Sequence, residues 1–220
     1  MSTRTRVARY SVAEEIANSI THGVGLVLAI GGLATLTALA ALHGSAWHVV
    51  GCSIFGATLV LSYLTSTLYH SLPAARAKSV LRVLDHCAIF LLIAGTYTPF
   101  MLVNLRGPWG WSLFGVVWAI AALGIVFKVT MLRRWTAVSV ALYIAMGWVV
   151  VVATKPMLAA VAPGGLLLLL LGGLAYTAGV VFYAWRRIPY HHAIWHLFVL
   201  AGSVFHVFAV LFYVIPLGSS

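Results

Sequence analysis

"HHAIWHLFVLAGSVFHVFAVLFYVI", residues 191–215, decides what kind of molecule this chain makes. Beyond its opening histidines it holds no Asp, Glu, Lys or Arg. At 1.5 Å per residue it is long enough to cross the ~30 Å hydrocarbon core of a bilayer. A single segment in lipid must satisfy its own backbone polar groups, so such a run is a helix. Working back along the chain, six more stretches qualify. The seven run approximately 19–42, 47–69, 84–104, 111–130, 136–154, 158–184 and 193–215. Loop chemistry separates them: "HGSAW", "HSLPAARAKSV", "RGPWG", "MLRRW", "TKPM" and "RRIPYHH". Trp47, Trp109, Trp111, Trp135 and Trp185 stand near predicted ends, as interfacial aromatic residues do.

Composition agrees. Of 220 residues 63% are apolar and 7% charged, where a soluble domain carries about 25% charged residues. That is too little polarity to cover a water-facing surface, so the expectation is an all-α integral membrane protein, a bundle of seven transmembrane helices. The net charge of +10 does not indicate nucleic acid, because the basic residues fall in short runs between spans. Eleven of them (Arg4, Arg6, Arg9, Arg76, Lys78, Arg82, Lys128, Arg133, Arg134, Arg186, Arg187) are assigned to one side, and only Arg106 and Lys155 to the other. The positive-inside rule then predicts a cytoplasmic N-terminus and an external C-terminus. Residues 1–18 are expected to form a cytoplasmic amphipathic segment, with a helix over 10–20 lying on the membrane face. Residues 19–215 form the bundle and 216–220 a short external tail. The basic N-terminus leads into "YSVAEEIANSI", which is no secretory signal. Cys52 and Cys87 sit in apolar stretches and read as buried free thiols.

Polar residues inside these spans are the functional clue. His70 ends the second span with Ser66 one turn deeper, Asp85 opens the third, and His192 and His196 sit at i and i+4 on one face of the seventh. Topology brings all of them to one depth. Two imidazoles from one helix and a third from another leave the fourth tetrahedral position of Zn²⁺ open, the pattern of catalytic zinc sites. Asp85 is suited to orienting a ligand or accepting a proton, and Ser66 to holding a water or Asp85 in place. An ionisable residue inside a span is functional by default; its bland alternative is an ion pair with Arg82. On residue types alone a metal site and a set of packed interfacial histidines weigh equally. The metal reading further requires the second, third and seventh helices to be lateral neighbours. His22 is placed to line the pocket, His86 to pack, and His206, ~15 Å beyond His196, to line a cavity. Pro99 is expected to bend the third helix and open room beside the site. Thr96, Tyr97 and Thr98 then face either that cavity or the packed interior. Glycines in "AIGGLATL", "LLGGLAYTAG" and "LIAGTYTPF" are expected to let helices pack closely within the bundle.

"EEIANSITHGVG", "STLYHSL", "LDHCAIFLLIAGTYTPF" and "HAIWHLFVLAGSVFHVFAV" resemble, in consistent order, the motifs of the bacterial hemolysin III proteins, a branch of the progestin and adipoQ receptor family. The resemblance implies a seven-helix fold inverted relative to G-protein-coupled receptors, in the bacterial cytoplasmic membrane. It also implies Zn²⁺ held by His70, His192 and His196, with Ser66 and Asp85 beside them in catalytic roles. Three functions follow as expectations. The first is a zinc-dependent hydrolase of lipid amides or esters, through a remoter similarity to alkaline ceramidases. The others are a non-catalytic sensor or regulator of membrane state with structural zinc, and a pore or cytolysin. Membrane lipids are the expected partners, without nucleic acid or a known protein partner.

Overall fold

The computed structural model describes residues 10–130 and 135–217. Arg4, Arg6, Arg9, Arg133 and Arg134 lie outside these residues. Among the described residues eight α-helices follow one another: α1 Val12–His43, α2 Ala46–Ser71, α3 Ala75–Leu102, α4 Pro108–Thr130, α5 Thr136–Gly147, α6 Thr154–Ala160, α7 Pro163–Ala184 and α8 His191–Tyr213. A 3-10 segment over Val149–Ala153 joins α5 to α6, so the eight make seven membrane spans with no strand among the described residues.

Local chemistry sets the ends. Ser11 starts α1 with a capping box: its hydroxyl accepts from the Glu14 amide at 3.2 Å, and the Glu14 carboxylate accepts from the Ser11 amide at 2.8 Å. No proline follows before His43, and α1 runs on unbroken for 32 residues. The amphipathic stretch over 10–20 is therefore not a separate surface helix but the first turns of the first span.

The fifth span departs from expectation. "TKPM" does not end it; residues 154–160 are helical, and the break falls at Val161–Ala162. Pro156 sits in the first turn of α6, where a missing N–H costs nothing. The irregularity lies instead at the 3-10 segment, where Tyr97 attends to the backbone. Its hydroxyl donates to the Gly147 carbonyl at 2.6 Å and accepts from the Val150 amide at 3.0 Å. Non-helical backbone at membrane depth persists where protein groups satisfy it in this way.

Adjacent pairs α1–α2, α2–α3, α3–α4 and α7–α8 pack side by side, and α8 returns against α1 to close the bundle. The expected neighbourhood of spans two, three and seven thus holds for α2 and α3. The helix packed most extensively with α8, besides α7, is α1, and α8 meets α2 through side chains such as the Tyr63 hydroxyl donating to Ser203 at 2.8 Å. Tyr63, Phe55, Phe90, Leu59 and Val117 lie in the solvent-free interior. Helices in lipid gain nothing from hiding apolar surface from one another, so close packing holds them together. Gly95 shows this at the α2–α3 contact: a Cβ there would run into the Thr58 side chain. Gly95→Val should cost about 1–3 kcal/mol by overpacking, read as a lower thermal midpoint in detergent. Gly31 and Gly32, by contrast, face open space and bring no helix closer.

Lys128 also needs reassignment. Counted from sequence among the loop charges, it lies in the last turn of α4, buried, donating to the Ser139 hydroxyl at 3.1 Å. Without it the expected split is ten basic residues to two.

Candidate metal centre

His70 lies in the last turn of α2, while His192 and His196 occupy the first two turns of α8. Their rings converge. Centroids lie 5.0 Å apart for His70 and His192, 5.3 Å for His70 and His196, and 4.6 Å for His192 and His196. One nitrogen from each falls within 4.8 Å of the other two. All three residues are buried, and Nε2 of His70, Nε2 of His196 and both nitrogens of His192 have no partner among the described residues. An orphaned buried polar atom costs about 1–3 kcal/mol, and gathering three at one point only raises that cost. The donor set suits a divalent ion bound by imidazole, which these three residues would hold. The residues fit the group.

Protons on the far nitrogens are assigned by their partners. Nδ1 of His196 lies 3.2 Å from the Asn18 carbonyl, which can only accept, and 3.1 Å from the Thr21 hydroxyl. Thr21 sends its own proton to the Ala17 carbonyl at 2.9 Å. Nδ1 therefore carries the hydrogen and Nε2 the lone pair. Nδ1 of His70 lies 2.6 Å from Glu15 Oε2, and the other Glu15 oxygen accepts from Lys78 at 2.5 Å.

Several neighbours differ from expectation. Ser66 lies 2.7 Å from Nδ1 of His22, a partner not foreseen for it. His22 is more central than a lining residue, since its ring stacks on His196 at 3.4 Å between centroids. Tyr10 covers the cluster, its ring 5.0 Å from His192 and 5.9 Å from His70. Burial, with Tyr183 and Tyr69 nearby, pushes its phenol pKa up, so the cover is neutral. Asp85 does not open its helix: α3 begins at Ala75, three turns earlier. Among the described residues Asp85 makes no ion pair with Arg82; the basic group beside it is Nδ1 of His86 at 3.8 Å. His86 also hydrogen-bonds the Arg82 carbonyl through that nitrogen at 2.6 Å, a packed role as expected.

A cavity of about 160 Å³ adjoins the cluster between α3, α5, α7 and α8. Asp85, His22 and His192 line one end, and Tyr97, Trp148 and His206 the other. Most of the wall is apolar. Thr96 and Tyr97 face it, but Thr98 does not; its hydroxyl is taken up by the Ala94 carbonyl and Trp118. His206 lines the cavity as expected, donating from Nε2 to the Leu169 carbonyl at 3.3 Å. Pro99 lies fourteen residues beyond Asp85, ~21 Å along the helix, against Gly51. It opens no room beside the histidines.

The signals missed in the sequence were Glu15 and Tyr10. Glu15 was legible in principle. Ser11 and Glu14 form a capping box that consumes one of the two acids, and Glu15, Asn18 and His22 then recur at i, i+3 and i+7.

Comparison with known proteins points one way. The profile of the family described as haemolysin-III related matches residues 10–207. The hemolysin-3 homolog of Bacillus subtilis (strain 168) is 48% identical over 204 residues, 93% of this chain and 96% of the relative. Hemolysin-3 of Bacillus cereus is 48% identical over 215 residues, 98% of each. The monocyte to macrophage differentiation factor of Homo sapiens is 31% identical over 208 residues, 90% of this chain and 83% of the relative.

Proposed function

The chain belongs to the haemolysin-III-related family, and on that footing we propose that it is a zinc-dependent hydrolase of lipid amide or ester bonds within the membrane. One observation carries this reading: three imidazoles, each with a nitrogen that has no partner among the described residues, converge beside a mostly apolar cavity onto which a buried carboxylate opens. His70, His192 and His196 would hold the ion, which when bound supplies a Lewis acid with an open coordination position.

The chain's own residues supply the rest. Asp85 is the one acid on the cavity wall and serves as the group that takes and returns the proton moved in hydrolysis. His22 fixes the Ser66 hydroxyl beside the cluster. The apolar walls seat the substrate segment next to the cleaved bond and keep bulk water away. Tyr10 covers the centre without lining the cavity. The histidine end also carries Arg82, Arg186 and Arg187, and the reading places it at the cytoplasmic face.

A second reading has an observation in its favour. The cluster joins α2 to α8, which otherwise meet through few contacts, so a bound ion would also act as a staple in a non-catalytic sensor. The names of the Bacillus relatives bring a cytolytic reading, to which the mostly apolar cavity lends no charged conduction path.

The deciding experiment measures metal content and then hydrolysis across a panel of lipid amides and esters in ¹⁸O-labelled water. Near-stoichiometric zinc with label in the released acid is expected. Full zinc without turnover on any member of the panel overturns the enzyme in favour of the staple.

A further inference from the structure

We infer that Glu15 is a positioning residue for the three-histidine centre: its carboxylate keeps the His70 proton on Nδ1 and so presents Nε2 toward His192 and His196. The inference rests on the metal-binding part of the reading above.

Its ground is the place of α1, which packs against both α2 and α8, the helices that carry the ligands. Glu14 is occupied by the helix cap. Glu15, one residue on and ~100° round the helix, turns inward to His70 at 2.6 Å. An ionised carboxylate can only accept, and at 2.6 Å it is a much shorter contact than the Asn18 side-chain amide 3.4 Å from the same nitrogen, so that nitrogen carries the hydrogen. The same face of α1 treats α8 alike, since the Asn18 carbonyl and the Thr21 hydroxyl hold the His196 proton on Nδ1. Among the described residues His192 has no such partner on either nitrogen. The first span thus presets two of the three imidazoles and leaves the third free to adjust.

A carboxylate behind a ligand imidazole fixes its tautomer and raises its basicity, and losing such a partner typically costs 10–100-fold in metal affinity. The competing account is that Glu15 only ties α1 to α3 through Lys78 at 2.5 Å. The two accounts differ in what Lys78→Met does, because that change removes the interhelical ion pair and spares the His70 contact.

The test uses full-length protein in detergent, with Zn²⁺ affinity from chelator competition and the visible spectrum of the Co²⁺ form. Glu15→Gln is expected to bind Zn²⁺ about 10–100-fold more weakly and to change the Co²⁺ ligand-field bands, while Lys78→Met binds as wild type does. Wild-type affinity in Glu15→Gln, or an equal loss in Lys78→Met, overturns the inference. Wild-type protein labelled with ¹⁵N-histidine gives an answer that needs no folded Glu15 variant. The metal-free His70 resonances, assigned by their loss in His70→Asn, should report the Nδ1–H tautomer; the Nε2–H tautomer overturns the assignment. Failure of the wild type to take up Zn²⁺ would instead sink the metal-binding reading. Equal uptake by wild type and Glu15→Gln would sink only the role of Glu15.

Discussion

His196→Ala should empty the centre: bound zinc falls by at least about 100-fold in affinity, since even outer partners of such ligands are worth 10–100-fold. This position should show the largest loss of the three. His196 is fully buried, its Nδ1 is held by Asn18 and Thr21, and its ring stacks on His22. Two controls separate loss of a ligand from loss of fold. His43→Ala lies at the far end of α1, exposed, and should bind zinc as wild type does. His86→Ala removes a packed histidine beside Asp85 and should leave zinc content unchanged although it lies near the site. Zinc retained in His196→Ala at wild-type affinity would mean that the three rings converge for packing alone.

Asp85→Asn should separate chemistry from metal binding. The amide keeps the size of the side chain and some of its hydrogen bonding but cannot accept a proton. Turnover should drop about 10²–10⁴-fold, the usual worth of a positioned acid or base, with zinc content as in the wild type. Asp85 is outside the three-histidine group, which is why the two properties can part. Hydrolysis at the wild-type rate would remove the carboxylate from the mechanism. Loss of zinc together with activity would recast Asp85 as a support of the centre instead of a participant in the reaction.

Much of the architecture was legible because lipid leaves the chain few choices. Unbroken apolar runs gave seven spans, and the i, i+4 histidines of the seventh with His70 of the second gave the cluster. What eluded sequence reasoning was lateral order around the bundle. Depth follows from counting residues along each span, but nothing local says that α1 lies between α2 and α8. Glu15 consequently read as part of an amphipathic lead-in, although it meets His70 from 55 residues away. Lys128 was misread for a related reason: close to Arg133 and Arg134 in the chain, it looked like a loop charge, whereas Ser139 on the next helix gives it a buried partner. The 3-10 segment in the fifth span carries four consecutive valines, Val149 to Val152, and no proline. Its stability comes from the Tyr97 hydroxyl on α3, a tertiary contact that no local pattern encodes.

The uninterrupted first helix makes the thickness of the host bilayer a mechanical variable. Its 32 residues measure ~48 Å against a hydrocarbon slab of ~30 Å, so the rod must tilt or stand proud of the lipid. Glu15 rides near one end of that rod, where a small change of tilt becomes its largest displacement. Longer or shorter acyl chains in the surrounding leaflets would therefore move this carboxylate against His70 by leverage, without touching the histidines themselves.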